Sequence, residues 1–475
     1  MIDGNIIDHI NVKKMEGIIL TDNIDDCYTE DFIAKVNEHS FTTSSDFSNE
    51  LFLYFYLKFS EYCAILGKGL PLQGGMKRSI VDSAIVVRAR KACNDEDSFT
   101  KILLLNTKIG GQLIIYLLQT LALSILLPLY FLWKTRKYDS ISQKKEKLQF
   151  IYLIRSEASY RKCKFSIDEV KSAMVLVDNW REINVVGHPI YAAITLGNVL
   201  KVTFETLLYS IRDIRAFFID GNRMLGISCS AAILSFYSKR ISHKAIYEAC
   251  LTQVLRLHPG ATFITGDKDD RFALMQTRVC KKADVNLICL PHGLEYGFNF
   301  PGGLAGTIFF CLAEESANFL SSLYKSKKFL YSEEIARSMC GVNIEAAQAQ
   351  KISRCCFFTE PRDPQVNYAI IEYFRMADLE ISIKLHPLEN AAIYSQKFPD
   401  VNQIADYSEA IRSSVCVARK SSVLLEASMR GSAAIAALVA KKDRVYVEKI
   451  FPSLLSSAIS RAYNYAELSS LVKGE

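Results

Sequence analysis

The chain has little of what marks disulfide-stapled, metal-clustered or disordered proteins. Its 475 residues include only 22 Gly and 11 Pro. No low-complexity tract or solenoid-period repeat is visible, which argues for a fully folded chain and against repeat architectures. The 13 cysteines are an odd number, no two form a CxxC pair, and several lie in apolar runs such as Cys355-Cys356, so buried thiols in a reducing compartment are expected rather than a disulfide framework. No Cys/His cluster has zinc-ligand spacing, and no metal or cofactor is called for. The GxGxxG loop of dinucleotide enzymes is missing. The net charge of +6 is modest, and the basic residues gather near 134–147 rather than forming a stripe with interleaved aromatics, so nucleic acid is not an expected partner. Residues Met1 to Lys14 lack the apolar core of a secretory signal, and a cytoplasmic protein is expected.

A long uncharged run is present. From Ile109 to Trp133, 25 consecutive residues carry no charge, enough to cross a bilayer core of about 30 Å as a helix. Tyr116, Tyr130 and Trp133 suit an aromatic belt, and Lys134, Arg136, Lys137, Lys144, Lys145 and Lys147 follow as a flank for the cytoplasmic face. Because strand-like segments precede the run (Gly17 to Thr21, Ile85 to Val87), a hairpin bent at Gly110, Gly111 and Pro128 and lying in one leaflet is favoured over a span, with a buried core helix as the bland alternative.

Beyond the run, strand-like and helix-like segments alternate, as in βαβ folds. Gln149 to Ile154 reads as a buried strand, Thr203 to Arg215 as a helix and Ala216 to Ile219 as a strand ending at Asp220-Gly221. Ala261 to Thr265 is a strand leading into the polar turn Gly266 to Asp270, followed by a helix over Arg271 to Lys282 and the strand Val285 to Leu290, which ends at Pro291-His292-Gly293. Three later strands also finish in polar loops: Arg354 to Thr359 at Glu360 to Pro364, Glu380 to Leu385 at His386-Pro387, and Ser414 to Ala418 at Arg419 to Ser422. Ligands of open α/β sheets collect at such carboxyl ends.

Ser421 and Ser422 stand where a strand turns into a helix, so their hydroxyls and the first amides suit a phosphate; a plain N-cap is the ordinary alternative. Arg419 and Lys420 add charge, and Glu426, one turn on, suits a ribose hydroxyl. His386 is one of three His–Pro pairs, with His188 and His258, but only it lies between two other polar strand ends of the last third. His292, followed by a glycine that permits a sharp turn, is a candidate base. Asp267 and Asp269, with Asp270 beside them, are rival bases, although turn aspartates are commonly just solvated.

The strings Phe357-Phe-Thr-Glu-Pro-Arg-Asp363, Ile383-Lys-Leu-His-Pro387 and Lys420-Ser-Ser-Val-Leu-Leu-Glu-Ala427 resemble, in order and spacing, the second domain of bacterial surface-polysaccharide glycosyltransferases that use cytidine nucleotides: sialyltransferases and polysialyltransferases, Kdo transferases of capsule assembly, and teichoic-acid glycerophosphotransferases. The resemblance covers about residues 260–475. It implies an α/β GT-B chain of two Rossmann-like domains, into which the uncharged run described above is inserted as an apolar, membrane-associated helical segment. Residues 1–310 would be the acceptor-side domain carrying 109–133, residues 311–350 a connecting region, and residues 351–475 the nucleotide-sugar-binding domain. It further implies phosphate contact by His386, Ser421 and Ser422, and a base at His292, whose Pro291-His-Gly293 string looks like the histidine–glycine motif of the glycerophosphotransferases; Arg419, Glu426 and Arg362 are expected beside them on the donor side. The acidic pair followed by glycine that supplies the base in sialyltransferases does not occur here, which leaves Asp220-Gly221 or Asp267 to Asp270 as partial stand-ins. The expected activity is metal-independent transfer of a nonulosonic or other acidic sugar from a CMP-activated donor to a lipid-linked surface or capsular glycan at the cytoplasmic face of the inner membrane. CDP-polyol phosphotransfer and a catalytically silent assembly scaffold are the alternatives.

Overall fold

The structure is a computed structural model that describes residue 37 and residues 43–69, 79–95, 97–138, 148–170, 172–180, 183–342 and 351–474. The strand-like Gly17 to Thr21 and the lysines 144, 145 and 147 lie outside the described residues. The chain divides into two compact units, one of Asn37–His292 with Asn299–Phe309 and one holding Gly293–Phe298 with Phe310–Glu475.

In the first unit, strands β1 (Phe150–Ile154), β2 (Ala173–Val177), β3 (His188–Pro189), β4 (Thr262–Thr265), β5 (Leu287–Cys289) and β6 (Ile308–Phe310) lie in the sheet order β3-β2-β1-β4-β5-β6. All five pairings are parallel. Parallel strands covered on both faces read as continuous apolar runs, and β1, Phe-Ile-Tyr-Leu-Ile, is buried over its last four residues. Its helices include α1 (Ile80–Ala92), α2 (Phe99–Thr135), α3 (Glu157–Glu169), α4 (Val199–Leu225), α5 (Ile227–Phe236), α6 (Ser238–Leu257) and α7 (Arg271–Lys282). The core gathers Ile151, Leu153, Phe263 and Leu287 from the sheet with Tyr247, Leu251, Phe272 and Met275 from α6 and α7. Helix α7 has the expected bounds because Asp270 caps it, its Oδ1 accepting the amides of Phe272 and Ala273 at 2.9 Å each.

Two segments expected as strands are helical. Ile85 to Val87 lies inside α1, whose Ser79 cap accepts the Asp82 amide at 3.1 Å and whose Ala84, Ile85 and Ala89 face inward. Ala216 to Ile219 lies inside α4, where Val202, Thr206, Ser210, Asp213, Phe217, Asp220 and Met224 are buried at helical spacing. The helix stops not at Gly221 but at Gly226, whose φ of +89° suits a residue without a side chain.

The apolar run forms no hairpin. It is part of the single 37-residue helix α2, with Gly110, Gly111 and Pro128 all inside it. Among the described residues this is the one helix long and apolar enough to cross a membrane. It packs along one side on α4, α5 and α6, burying Ile109, Thr120, Ser124, Leu127 and Phe131. Ser124 Oγ lies 2.7 Å from Ser210 Oγ of α4. These side contacts support a continuous helix through residues that interrupt or bend an unsupported one. The opposite side leaves Ile114, Ile115, Leu118 (63% exposed), Leu126 and Trp133 (61%) uncovered, and α4 adds Leu200 (82%), Phe204 and Ile211. An apolar surface of this extent is unusual on a free soluble domain.

The second unit contains the short strand β7 (Phe329–Leu330) and a six-stranded sheet of β8 (Ile352–Phe358), β9 (Ile381–Lys384), β10 (Asn402–Gln403), β11 (Ser413–Ala418), β12 (Ala433–Ala437) and β13 (Ile459–Ala462), in the order β10-β9-β8-β11-β12-β13. Every pairing is again parallel. Helices α8 (Pro364–Met376), α9 (Val423–Met429) and α10 (Lys441–Val445) each follow a strand end. Phe357, Ile383, Val417 and Ile435 pack with Ile370, Phe374 and Tyr394 in its core. Two Rossmann-like α/β units with one long apolar helix in the first are thus present, as expected of a GT-B chain.

Candidate active site

In the first unit the ends of β4 and β5 bring the two expected polar turns together. The His292 amide donates to the Gly266 carbonyl at 3.1 Å, and its ring Nδ1 lies 2.6 Å from the same oxygen. A carbonyl only accepts, so Nδ1 carries the proton and Nε2 of the neutral ring keeps a lone pair. The partly buried imidazole therefore has the tautomer a general base needs. Gly266 is compulsory: a Cβ there would stand 2.1 Å from Ser159 Oγ at the start of α3.

The three aspartates of the turn divide the work. Asp270 is the α7 cap, and its other oxygen accepts from Arg155 Nη1 at 2.9 Å. Burial opposes ionisation there, but Arg155 and Arg271 win and hold the carboxyl below its usual value. Asp267 accepts from Arg155 at 3.1 Å, yet burial dominates and raises it. Asp269 Oδ2 is buried with no hydrogen-bond partner among the described residues; Lys268 Nζ is 3.7 Å away and burial raises this carboxyl too. Once His292 has taken a proton, its charge favours ionisation of both Asp267 and Asp269.

Arg155, which sequence reasoning missed, organises this centre. From the end of β1 it reaches Asp178 (3.2 Å), Asp267 and Asp270 while stacking 3.4 Å over the Phe272 ring. Asp178 also accepts from Tyr191 Oη at 2.9 Å and lies 3.1 Å from His243 Nε2, whose ring stacks on Trp180. Burial alone would raise Asp178; His243 and Arg155 override it and push the carboxyl far down. The only sequence signal was a polar residue directly after an apolar strand.

Among the described residues one trio of acids is close enough to hold a cation: Asp46, Asp213 and Glu248. Lys244 already fills it, with Nζ at 2.5, 2.7 and 2.9 Å from the three. Arg212 and Arg278 balance the remaining charge. This is a closed ion-pair network, not a metal centre.

In the second unit, the loops after β8 and β11 and helix α10 enclose a cavity of about 280 Å³ lined by Arg362, Asp363, Lys420, Lys442 and Tyr446. Arg362 is exposed at its mouth. Arg419 does not line it. Almost wholly buried, Arg419 donates to Asp443 at 2.5 and 3.1 Å and to Arg362 O, Asp363 O and Asn367 Oδ1, so it positions the Arg362 loop. Lys420 Nζ bonds Asp443 and lies 3.3 Å from Glu360, while its amide donates to Glu360 at 2.7 Å.

Ser422 is the residue before α9, but its side chain makes no cap, and Ser421 Oγ accepts the Val423 amide at 3.3 Å. Helix α9 is only seven residues long, so it offers a phosphate a short dipole. Glu426 is engaged by Tyr407 Oη at 2.7 Å and Arg430 at 3.2 Å. His386 leaves β9 with its amide on Glu389 (3.0 Å), and its Nδ1 accepts the Leu388 amide at 3.2 Å. An accepting Nδ1 puts the proton on Nε2, making the ring a donor, the opposite of His292. Lys442 and Tyr446 were not foreseen; the lysine pair Lys441-Lys442 shortly after β12 was the available clue.

No protein-family model matches the chain, and no curated protein matches it. Among solved structures, the UDP-GlcNAc 2-epimerase of Methanocaldococcus jannaschii, in complex with UDP-GlcNAc and UDP, is similar over 68% of this chain and 91% of its own, at 10% identity and a TM-score of 0.36. The UDP-GlcNAc 2-epimerase of Neisseria meningitidis, bound to UDP-GlcNAc, covers 68% and 90% at 10% identity and 0.38. S. aureus MnaA, in a co-structure with UDP, covers 69% and 86% at 10% identity and 0.37. At this level of similarity any chemistry has to be argued from the chain's own residues.

Proposed function

We propose that the protein is a metal-independent glycosyltransferase that moves an acidic sugar from a CMP-activated donor to a lipid-linked surface glycan at the cytoplasmic face of the membrane. The observation that carries the reading is the cavity at the ends of β8 and β11, where Arg362 and Lys442 suit a nucleotide phosphate, Lys420 is held beside them by Asp443 and Glu360, and Tyr446 offers a ring. The cytidine assignment comes from the resemblance of the three strand-end strings. His292 Nε2 takes the proton of the acceptor hydroxyl as its oxygen bonds to the anomeric carbon. The bond from that carbon to the donor phosphate breaks, and CMP leaves with the electron pair. Fixed cations and the His386 Nε2–H meet the charge that develops on the leaving phosphate. The apolar side of α2 and α4 keeps the enzyme at the bilayer, where a lipid-linked acceptor resides.

The test is transfer from a CMP-activated nonulosonic acid to a lipid-linked glycan, with His292→Ala and His386→Ala alongside the natural chain. Full activity in both variants would sink the assignment of roles. A second reading, CDP-polyol phosphotransfer, draws on Pro291-His292-Gly293; turnover of CDP-glycerol with none of the CMP-sugar would favour it. Absence of nucleotide binding together with a stable partner would favour the silent scaffold.

A further inference from the structure

A second cavity, of about 600 Å³, lies in the first unit between α1, the start of α2 and the α4–α5 junction. Its volume is in the range of small-ligand sites. Its wall is two-sided in chemistry. Val87, Phe99, Ile102 and Ile227 are apolar, whereas Arg88 and Lys91 bring two cations from one turn of α1. The acids of the rim are already used: Asp97 accepts from Arg90 at 2.6 Å and Asp95 lies 3.7 Å from the same guanidinium. Among the described residues neither Arg88 nor Lys91 is ion-paired, and Arg88 sits 5.9 Å over the Phe59 ring. Phe99 (78% exposed) belongs both to the cavity and to the uncovered apolar side of α2, where Leu103 lies one turn further on.

We propose that this cavity holds the phosphate-bearing head of a membrane lipid, Arg88 and Lys91 pairing with the phosphate and the acyl chains running along Phe99, Leu103 and the apolar side of α2. An anion with an apolar tail matches both halves of the wall, and cations beside a membrane-facing surface attract anionic heads. The inference rests on the membrane reading given above and adds to it the place where a lipid phosphate is held.

The test is co-sedimentation of the full chain with vesicles of phosphatidylcholine alone and of phosphatidylcholine with phosphatidic acid. Arg88→Gln/Lys91→Gln is compared with Lys101→Gln/Lys108→Gln, which removes two exposed lysines of α2 outside the cavity. Binding to both vesicles is expected, tighter with phosphatidic acid. The cavity pair should cut that preference roughly tenfold or more, and the control pair should leave most of it. Equal loss in the two variants, or a preference unchanged in the cavity variant, would show general surface attraction and overturn the site while leaving membrane docking intact. No binding to either vesicle would overturn the membrane reading and this inference together. Short-chain phosphatidic acid should raise the melting temperature of the natural chain but not of the cavity variant; equal protection by inorganic phosphate would overturn the lipid assignment.

Discussion

Lys244→Met tests whether the closed ion-pair network is read correctly. Lys244 is fully buried, and its Nζ is the shared partner of Asp46, Asp213 and Glu248. After its removal Asp46 keeps Arg278 at 2.8 Å, and Glu248 keeps Arg212 and Arg278 at 2.6 and 2.9 Å. Asp213 fares worst: its Oδ1 keeps Arg212 at 2.7 Å, but Oδ2 loses the lysine. Stripping one partner from a buried pair costs about 3–5 kcal/mol because a charge is left uncompensated. For a unit of this size that lowers the melting temperature on the order of 10 °C. The second change Asp213→Asn removes the orphaned charge and should recover roughly half of the loss, since the two positions are in contact and couple. The pH dependence has a definite sign. Burial already raises Asp213 with the lysine present; without it the carboxyl rises further, so the folded state gains by binding a proton. The variant should lie closest to the natural chain at low pH and lose ground as pH rises through the raised value. Thermal melts from acid to neutral pH measure this. A shift under about 2 °C at neutral pH, or a deficit that grows on acidification, would refute the reasoning.

His292→Ala should cut transfer by about 10²- to 10⁴-fold while leaving nucleotide binding intact, measured by turnover and calorimetry in parallel. Gly266→Ala forces a Cβ against Ser159; overpacking of this kind costs about 1–3 kcal/mol, visible as a lower melting temperature, and also displaces the carbonyl that fixes the His292 tautomer. Burial would raise Asp443, but Arg419 and Lys420 override it and hold the carboxyl low. Its stabilising contribution is therefore present above the usual carboxylate range and lost as pH falls through the depressed value, so Asp443→Asn should lower stability at neutral pH and flatten the acid limb of the stability curve.

The strands β1, β4, β5, β8, β9 and β11, the helix over Arg271–Lys282 and the polar strand ends were legible because short apolar runs bounded by charge and turn residues carry a local signal. Ile85 to Val87 and Ala216 to Ile219 were misjudged because β-branched and aromatic runs look alike in strands and buried helices, and the helical spacing that decides shows only over the whole of α1 and α4. The continuity of α2 was hidden because Gly110, Gly111 and Pro128 bend or break a lone helix, while its support comes from α4, α5 and α6. Arg419 reads as a phosphate ligand until Asp443, 24 positions on, is seen to claim it. Asp46, Asp213, Lys244 and Glu248 meet only in three dimensions, and no spacing announces them. The proton placements on His292 and His386 depend on single contacts with Gly266 O and the Leu388 amide, which no sequence pattern specifies.

The central claim is a cytidine-nucleotide site in the second unit, and equilibrium binding tests it most directly. CMP, CDP, UMP, UDP and GDP are titrated in turn into the natural chain and into Arg362→Ala, whose exposed side chain can be removed without disturbing the fold, with thermal stabilisation as the readout. The account predicts stabilisation by a cytidine nucleotide that is lost or strongly weakened in the variant. Stabilisation by uridine or guanosine nucleotides alone, or by none of the five, would contradict it.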